Sequence, residues 1–253
     1  RWRESYLPYA DDLVNLLIAD RADGMTNEEI LRVVAPLGMA YIQREGRWRK
    51  LVKQWPVDID EWTHFLHGSD NNAVARDTRV GPPQTLQWTA APVWTRNHET
   101  SPGVYGMVSS RGRLFYVLDE GPIGIVSPRL PDKMALIARD AFNGVQLWRK
   151  ELESWLPSSS GGGGYEWLKV PVRVQRLLVA EDDRLYAPLT WNGPICELDA
   201  ATGEVIRQYD ESEGTTEIIC AGGMLLAMSK TGLKAFEKTS GRPLWRRDGL
   251  PAS

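Results

Sequence analysis

Short runs rich in apolar residues, the mark of strands, recur three times in the second half of the chain. Runs at residues 135–138, 195–198 and 233–236 each lead to an acidic residue, a glycine four positions later, and a long or aromatic residue four beyond that. The triplets are Asp140, Gly144 and Trp148; Asp199, Gly203 and Arg207; Glu237, Gly241 and Trp245. A polar residue followed by glycine supplies the positive φ of a tight turn, so each triplet predicts a β-hairpin. A further β pattern precedes each hairpin, at residues 111–117, 183–187 and 223–228.

Four short strands per unit is the arrangement of a propeller blade. Gly203 and Gly241 are 38 residues apart, close to the ~40–45 of four-stranded blades. Gly144 and Gly203 are 59 apart, and the excess coincides with a Ser- and Gly-rich run at 157–165. That run reads as a linker between strands; a phosphate cradle would need a following Gly-Lys-Ser/Thr, which is absent.

The spacing, with Leu198, Asp199, Thr202 and Gly203 as its fullest copy, resembles the repeat of pyrroloquinoline quinone (PQQ) type β-propellers. Residues 61–65, Asn71, Asn72, Pro82, Pro83 and the 86–88 segment ending in Trp88 resemble the opening segment of such propellers, whose early strand closes the ring against the last blade. The resemblance implies a mainly β fold of PQQ-like β-propeller blades in which Trp148 and Trp245 are buried between blades and Arg207 lies at a more solvated equivalent position. Three repeats are too few for a closed ring, so an incomplete ring is expected, with strand 85–90 left with an unpaired edge or borrowing a partner from another chain.

The first sixty residues have another rhythm. Residues 7–19 read as a turn and a buried strand, and residues 26–34 as a helix with Thr26 as N-cap and Glu29 as its capping-box partner. Pro36 to Gly38 should stop the helix, and 39–43 with 47–52 should form a hairpin around Glu45 and Gly46. Strand, helix, strand is half of a βαβ layer, a small N-terminal α/β, Rossmann-like remnant. The 29–38 segment, with Leu37 in place of a glycine, resembles the carboxyl part of class I S-adenosylmethionine-dependent methyltransferases. By that resemblance the loop that cradles S-adenosylmethionine lies upstream of Arg1. The expected division is a methyltransferase-like segment at 1–57 and a propeller segment at 58–253.

Composition narrows the function classes. With 30 basic and 33 acidic residues, a net charge of -3 gives no field to attract nucleic acid, and the five basic residues at 44–53 read as a solvated hairpin. No run reaches the ~18 apolar residues of a membrane span. Cys196 and Cys220 fit neither a disulfide framework nor a zinc site, and the vicinal cysteine pair of many quinone-dependent alcohol dehydrogenases is missing.

Candidate chemistry concentrates in one stretch. His64, His67 and His98, with Asp70 and Asn71, form the one cluster with metal or acid/base potential; packing histidines in an aromatic setting are the alternative. Asp119 with Glu120, and Asp182 with Asp183, are adjacent in sequence and so should not converge on strands. The expectation is a scaffold or binding module, part of a larger multidomain bacterial protein, with no metal and no quinone of its own. Its partners would be a protein or glycan at the blade loops and the remaining blades of the same protein. The alternatives are a quinoprotein-like oxidoreductase, a carbohydrate-active propeller or part of a methyltransferase fusion. Family resemblance implies a periplasmic or extracytoplasmic location.

Overall fold

A computed structural model describes residues 6–22, 24–79, 81–82, 86–92, 103–123, 133–153, 155 and 172–249. The glycine-rich run at 157–165, His98 and Thr85 lie outside them. The chain divides into one unit of residues 1–60, 76–90 and 140–145 and a second of residues 61–75, 91–139 and 146–253.

In the first unit, β1 (Val14–Ala19) pairs in parallel with β2 (Val34–Arg44), which pairs antiparallel with β3 (Arg47–Val52). Helix α1 (Asn27–Val33) makes the crossover; Thr26 Oγ1 accepts the Glu29 N–H at 3.1 Å, as its N-cap position predicts. The capping box is not completed. The Glu29 carboxylate instead accepts the Leu7 N–H at 2.6 Å and pairs with Arg32 at 2.8 Å. The helix ends at Val33, within one residue of the expected 34, but no loop follows: β2 begins at once and passes through Pro36. A residue before proline is pushed out of the helical region, so Ala35 must already be extended. Leu37 takes φ +65° and the register slips between the Val14 and Leu16 pairs. At this bulge a Cβ on Gly38 would meet the carbonyl oxygens of Ala35 and Asn15 at 2.8 and 2.9 Å. The expected buried strand is buried on one side only: Leu17, Ala40 and Ile42 pack on Ile30 and Val33, whereas Leu16 and Ile18 are exposed.

Among its described residues the second unit carries three four-stranded antiparallel sheets, and the fold is mainly β, built of propeller-type blades. The first blade is β4 (Val104–Ser110), β5 (Arg113–Asp119), β6 (Met134–Asp140) and β7 (Gln146–Glu151). The second is β8 (Val179–Glu181), β9 (Arg184–Pro188), β10 (Ile195–Asp199) and β11 (Val205–Tyr209). The third is β12 (Thr215–Ala221), β13 (Met224–Ser229), β14 (Gly232–Glu237) and β15 (Pro243–Asp248). Period-2 alternation divides the middle blade's side chains between two cores. Leu185, Ala187, Cys196 and Leu198 join the first blade's Phe115, Val117 and Leu136, while Tyr186, Ile195 and Tyr209 join the third blade's Ile218, Leu225 and Phe236.

The three repeat turns are closed in the same way. Gly144, Gly203 and Gly241 take φ of +73°, +74° and +77°, and each donates its N–H to the main-chain carbonyl of the acidic residue four positions earlier at 2.8–2.9 Å. Asp140 Oδ1 accepts the N–H groups of Phe142 and Asn143 at 2.8 and 3.1 Å, and Asp199 Oδ1 those of Ala201 and Thr202 at 2.9 and 3.0 Å. Burial pushes the Asp199 carboxyl up, but the N–H groups of Thr202 and Ala201 and the Thr202 hydroxyl outweigh it, and its pKa is lowered. Glu237 has one methylene more; its carboxylate goes to the Ser240 hydroxyl and to Arg242. Glu237→Asp is therefore expected to recover the turn seen at Asp140 and Asp199 and to add roughly 0.5 to 1 kcal/mol, read as a higher urea midpoint at unchanged m-value.

Candidate functional site

The segment at residues 61–67 makes its contacts along the first strand of every blade. β4, β8 and β12 are each an edge strand of their sheet, with unpaired N–H groups on one side. Ser109 of β4 donates its N–H to the Trp62 carbonyl at 2.7 Å, and Ala180 of β8 donates to the Thr63 carbonyl at 2.9 Å. Cys220 of β12 donates to His64 Nε2 at 3.0 Å. Consecutive residues 62, 63 and 64 thus take one hydrogen bond from each of the three blades. Glu61 adds a fourth tie, its carboxylate accepting the Arg111 N–H at 2.6 Å and the Ser110 hydroxyl at 3.3 Å.

This hydrogen bonding defines the state of His64. Because Nε2 accepts a backbone N–H, the ring proton belongs on Nδ1, which lies 2.8 Å from Thr63 Oγ1; that hydroxyl in turn donates to the His67 carbonyl at 3.2 Å. Only the neutral imidazole fits. Burial, helped by the positive charge of Lys238 and by His67 against the opposing Asp70, lowers its pKa from 6.5 to about 4. His64 and His67 are 5% and 6% exposed and close a tight turn, with His67 at φ +72° and its ring edge-on to Trp62 at 5.4 Å. Asp70 and Asn71 are exposed on the next turn, where Asp70 Oδ1 accepts the Asn72 N–H at 3.2 Å. Among the described residues no three His, Cys, Asp or Glu side chains are grouped as a metal site would need.

The paired carboxylates are divided between separate duties. Asp119 is buried and accepts the N–H groups of Gly121 and Lys133 at 2.8 and 3.0 Å, whereas Glu120 pairs with Arg149 at 2.5 Å. Asp183 pairs with Arg113 at 2.8 Å, and Asp182 holds the turn between β8 and β9 at φ +52°. A groove of about 380 Å³ is lined by residues that include Asp119, Glu120, Ile137 and Arg139. Arg139 donates there to the Tyr116 hydroxyl at 2.8 Å and to the Ala91 carbonyl at 2.9 Å. Both cysteines are free and buried, and burial raises both thiol pKa values.

The repeat tryptophans form a second constellation, and here several expectations fail. Trp148 lies over the next blade's turn, its indole Cδ2 2.7 Å from where a Cβ on Gly203 would sit, and Nε1 donates to the Ala200 carbonyl at 3.0 Å. Within the first unit Trp88 sits on Gly144 in the same manner, with Nε1 3.0 Å from the Ala141 carbonyl. Residues 86–90 form no strand, so the unpaired edge expected at 85–90 is absent there; the docking needs the indole and not a ladder. Trp245 is 44% exposed rather than buried, because among the described residues no glycine turn covers it. Arg207 is less exposed than expected: its Cδ lies 3.4 Å from the position of a Cβ on Gly241, and Nε is 2.6 Å from the buried Glu197 carboxylate.

Residues 136–252 match the family model described as outer membrane protein assembly factor BamB. The fold is similar to that of the quinohemoprotein alcohol dehydrogenase from Comamonas testosteroni, at 17% identity over 63% of this chain and 23% of that one, TM-score 0.36. A europium-containing methanol dehydrogenase matches at 10% identity over 76% of this chain and 32% of that one, TM-score 0.41. BamB from Moraxella catarrhalis matches at 13% identity over 95% of this chain and 66% of that one, TM-score 0.34. The chain thus spans less than a third of these dehydrogenases and about two thirds of that BamB. No curated protein matches it. None of these matches supports the methyltransferase resemblance of residues 1–57.

Proposed function

We propose that this chain is a scaffold or binding module of propeller blades that engages protein partners through its blade loops and has no quinone of its own. The observation that carries this reading is the placement of residues 61–67 on the blades' first strands. PQQ is a flat tricarboxylate and needs cations or N–H donors around it. The N–H groups of Ser109, Ala180 and Cys220 are taken by residues 62–64, and His64 is neutral. Arg176 pairs with Glu217 at 3.1 Å and Lys238 with Glu181. The residues along these strands therefore do not fit the quinone, and Cys196 and Cys220 stand on different blades.

Among the described residues an enzymatic role lacks a converging acid and base, since the carboxylates of the groove are engaged with backbone amides and Arg149. A protein partner suits the exposed Leu244 and Trp245 on β15, and the match to a BamB family model supports both this partner class and an extracytoplasmic location. No described helix is long and apolar enough to cross a membrane. The test is titration with PQQ, with and without calcium, followed by tryptophan fluorescence and dye-linked alcohol oxidation. No saturable quenching up to about 100 μM and no dye reduction are expected; stoichiometric quinone binding overturns the reading.

A further inference from the structure

The three-stranded sheet of the first unit has one face covered and one bare. α1 covers the side bearing Leu17, Ala40 and Ile42. Strand alternation and the pairs Leu16 with Met39, Ile18 with Tyr41, Met39 with Val52, Tyr41 with Lys50 and Gln43 with Trp48 place all of these on the opposite side. There Ile18 is 66% exposed, Leu16 and Trp48 52% each, and Val52 and Tyr41 43% and 38%. The side chains adjoin one another across all three strands, so this is one patch, on the order of 500 Å² from side chains of this size.

We propose that this face is the docking site for an amphipathic α-helix of a partner protein, with an apolar stripe and an acidic flank. Three features choose that occupant. β1 and β2 are a parallel pair joined by a helical crossover, the pairing typical of sheets that carry helices on both faces, with β3 added antiparallel at the edge. The charge on the face is Lys50, whose ammonium lies 5.9 Å from the Tyr41 ring centroid; a carboxylate on the partner would complement it, and a second Lys50 would not. The size also favours a single helix over a second copy: obligate homodimer interfaces run to roughly 2,000 Å² or more in total, well beyond a patch of this size. β1 and β3, at six residues each, are about 20 Å long, a length that a helix of about 13 residues spans.

The full chain would be titrated against a fluorescein-labelled, hydrocarbon-stapled helical peptide with one leucine stripe flanked by glutamates, and against its lysine-flanked counterpart, by fluorescence anisotropy. Saturable binding that prefers the glutamate peptide is expected. Ile18→Lys or Trp48→Glu should weaken it about tenfold or more, and Lys50→Glu should reverse the preference. These side chains are exposed, so circular dichroism and melting should stay unchanged in each variant. Absence of saturable binding, or binding indifferent to Ile18→Lys, overturns the proposal. So does self-association in sedimentation velocity that Ile18→Lys abolishes, which would assign the face to a second copy. Capture by phosphatidylcholine/phosphatidylglycerol vesicles that is lost in Ile18→Lys would assign it to a lipid surface and overturn the proposal equally.

Discussion

Gly203→Ala is expected to lower the unfolding free energy by roughly 3 kcal/mol, from two costs in one atom. At φ +74° an alanine carries left-handed strain of roughly 1–2 kcal/mol, and its Cβ would stand 2.7 Å from Trp148 Cδ2, displacing an indole at a further ~1–3 kcal/mol. Trp148→Ala alone should cost roughly 3 kcal/mol, the lower part of the range for a large aromatic, because the ring is only half-buried. In the double variant the displaced-indole cost disappears while the backbone strain stays. The sum of the single losses should therefore exceed the double loss by roughly 1–2 kcal/mol, measured by urea unfolding at constant m-value. Strict additivity would mean that the indole does not rest on Gly203.

The same contact explains which parts of the fold were legible in the sequence. Turn residues are tied to a backbone conformation, so Asp140, Gly144, Asp199 and Gly203 could be read directly. Strands β5, β9 and β13 and the paired β6, β10 and β14 were legible because both faces or one face of each are apolar. β8, three residues long, is too short to show a period, and its position depends on a partner segment far away in sequence. The exposure of Trp245 was illegible for a related reason: a tryptophan is buried only if another turn arrives to cover it, and its own repeat looks the same either way. Pro36 and Gly38 read correctly as helix breakers, yet a bulge at Leu37 lets the strand absorb them.

The histidine segment stood out in the sequence by its residue types, while its arrangement was illegible. Its residue types permit metal binding, acid/base work or packing, and the choice depends on what each ring meets. For His64 that is the backbone N–H of Cys220, 156 positions away, which no local pattern encodes. An acceptor role at Nε2 commits the ring to neutrality, and the same hydrogen bond ties the opening segment to the third blade. Metal-type chemistry and edge-strand pairing thus compete for one nitrogen, and pairing has it.

That commitment makes acid a specific stress on the second unit. The His64 pKa falls from 6.5 to about 4 on folding, so between these values the unfolded chain binds a proton that the folded one refuses. Its contribution is complete above pH 6.5 and is lost as the pH falls from 6.5 toward 4, amounting to about 3 kcal/mol over the window. The charges acting on the ring are Lys238 and His67, which disfavour its protonation, and Asp70, which favours it. His64→Gln retains an acceptor for Cys220 and removes the titration. The variant should be less stable than the parent at pH 7.5, yet lose less between pH 6.5 and 4.5, so that the two urea-midpoint profiles converge. Carboxylates such as Asp199, whose pKa is lowered, release their stabilisation at lower pH and act on both proteins alike. Parallel profiles across the window would mean that His64 is not held neutral, and the tie between residues 61–67 and β12 would then not rest on its ring.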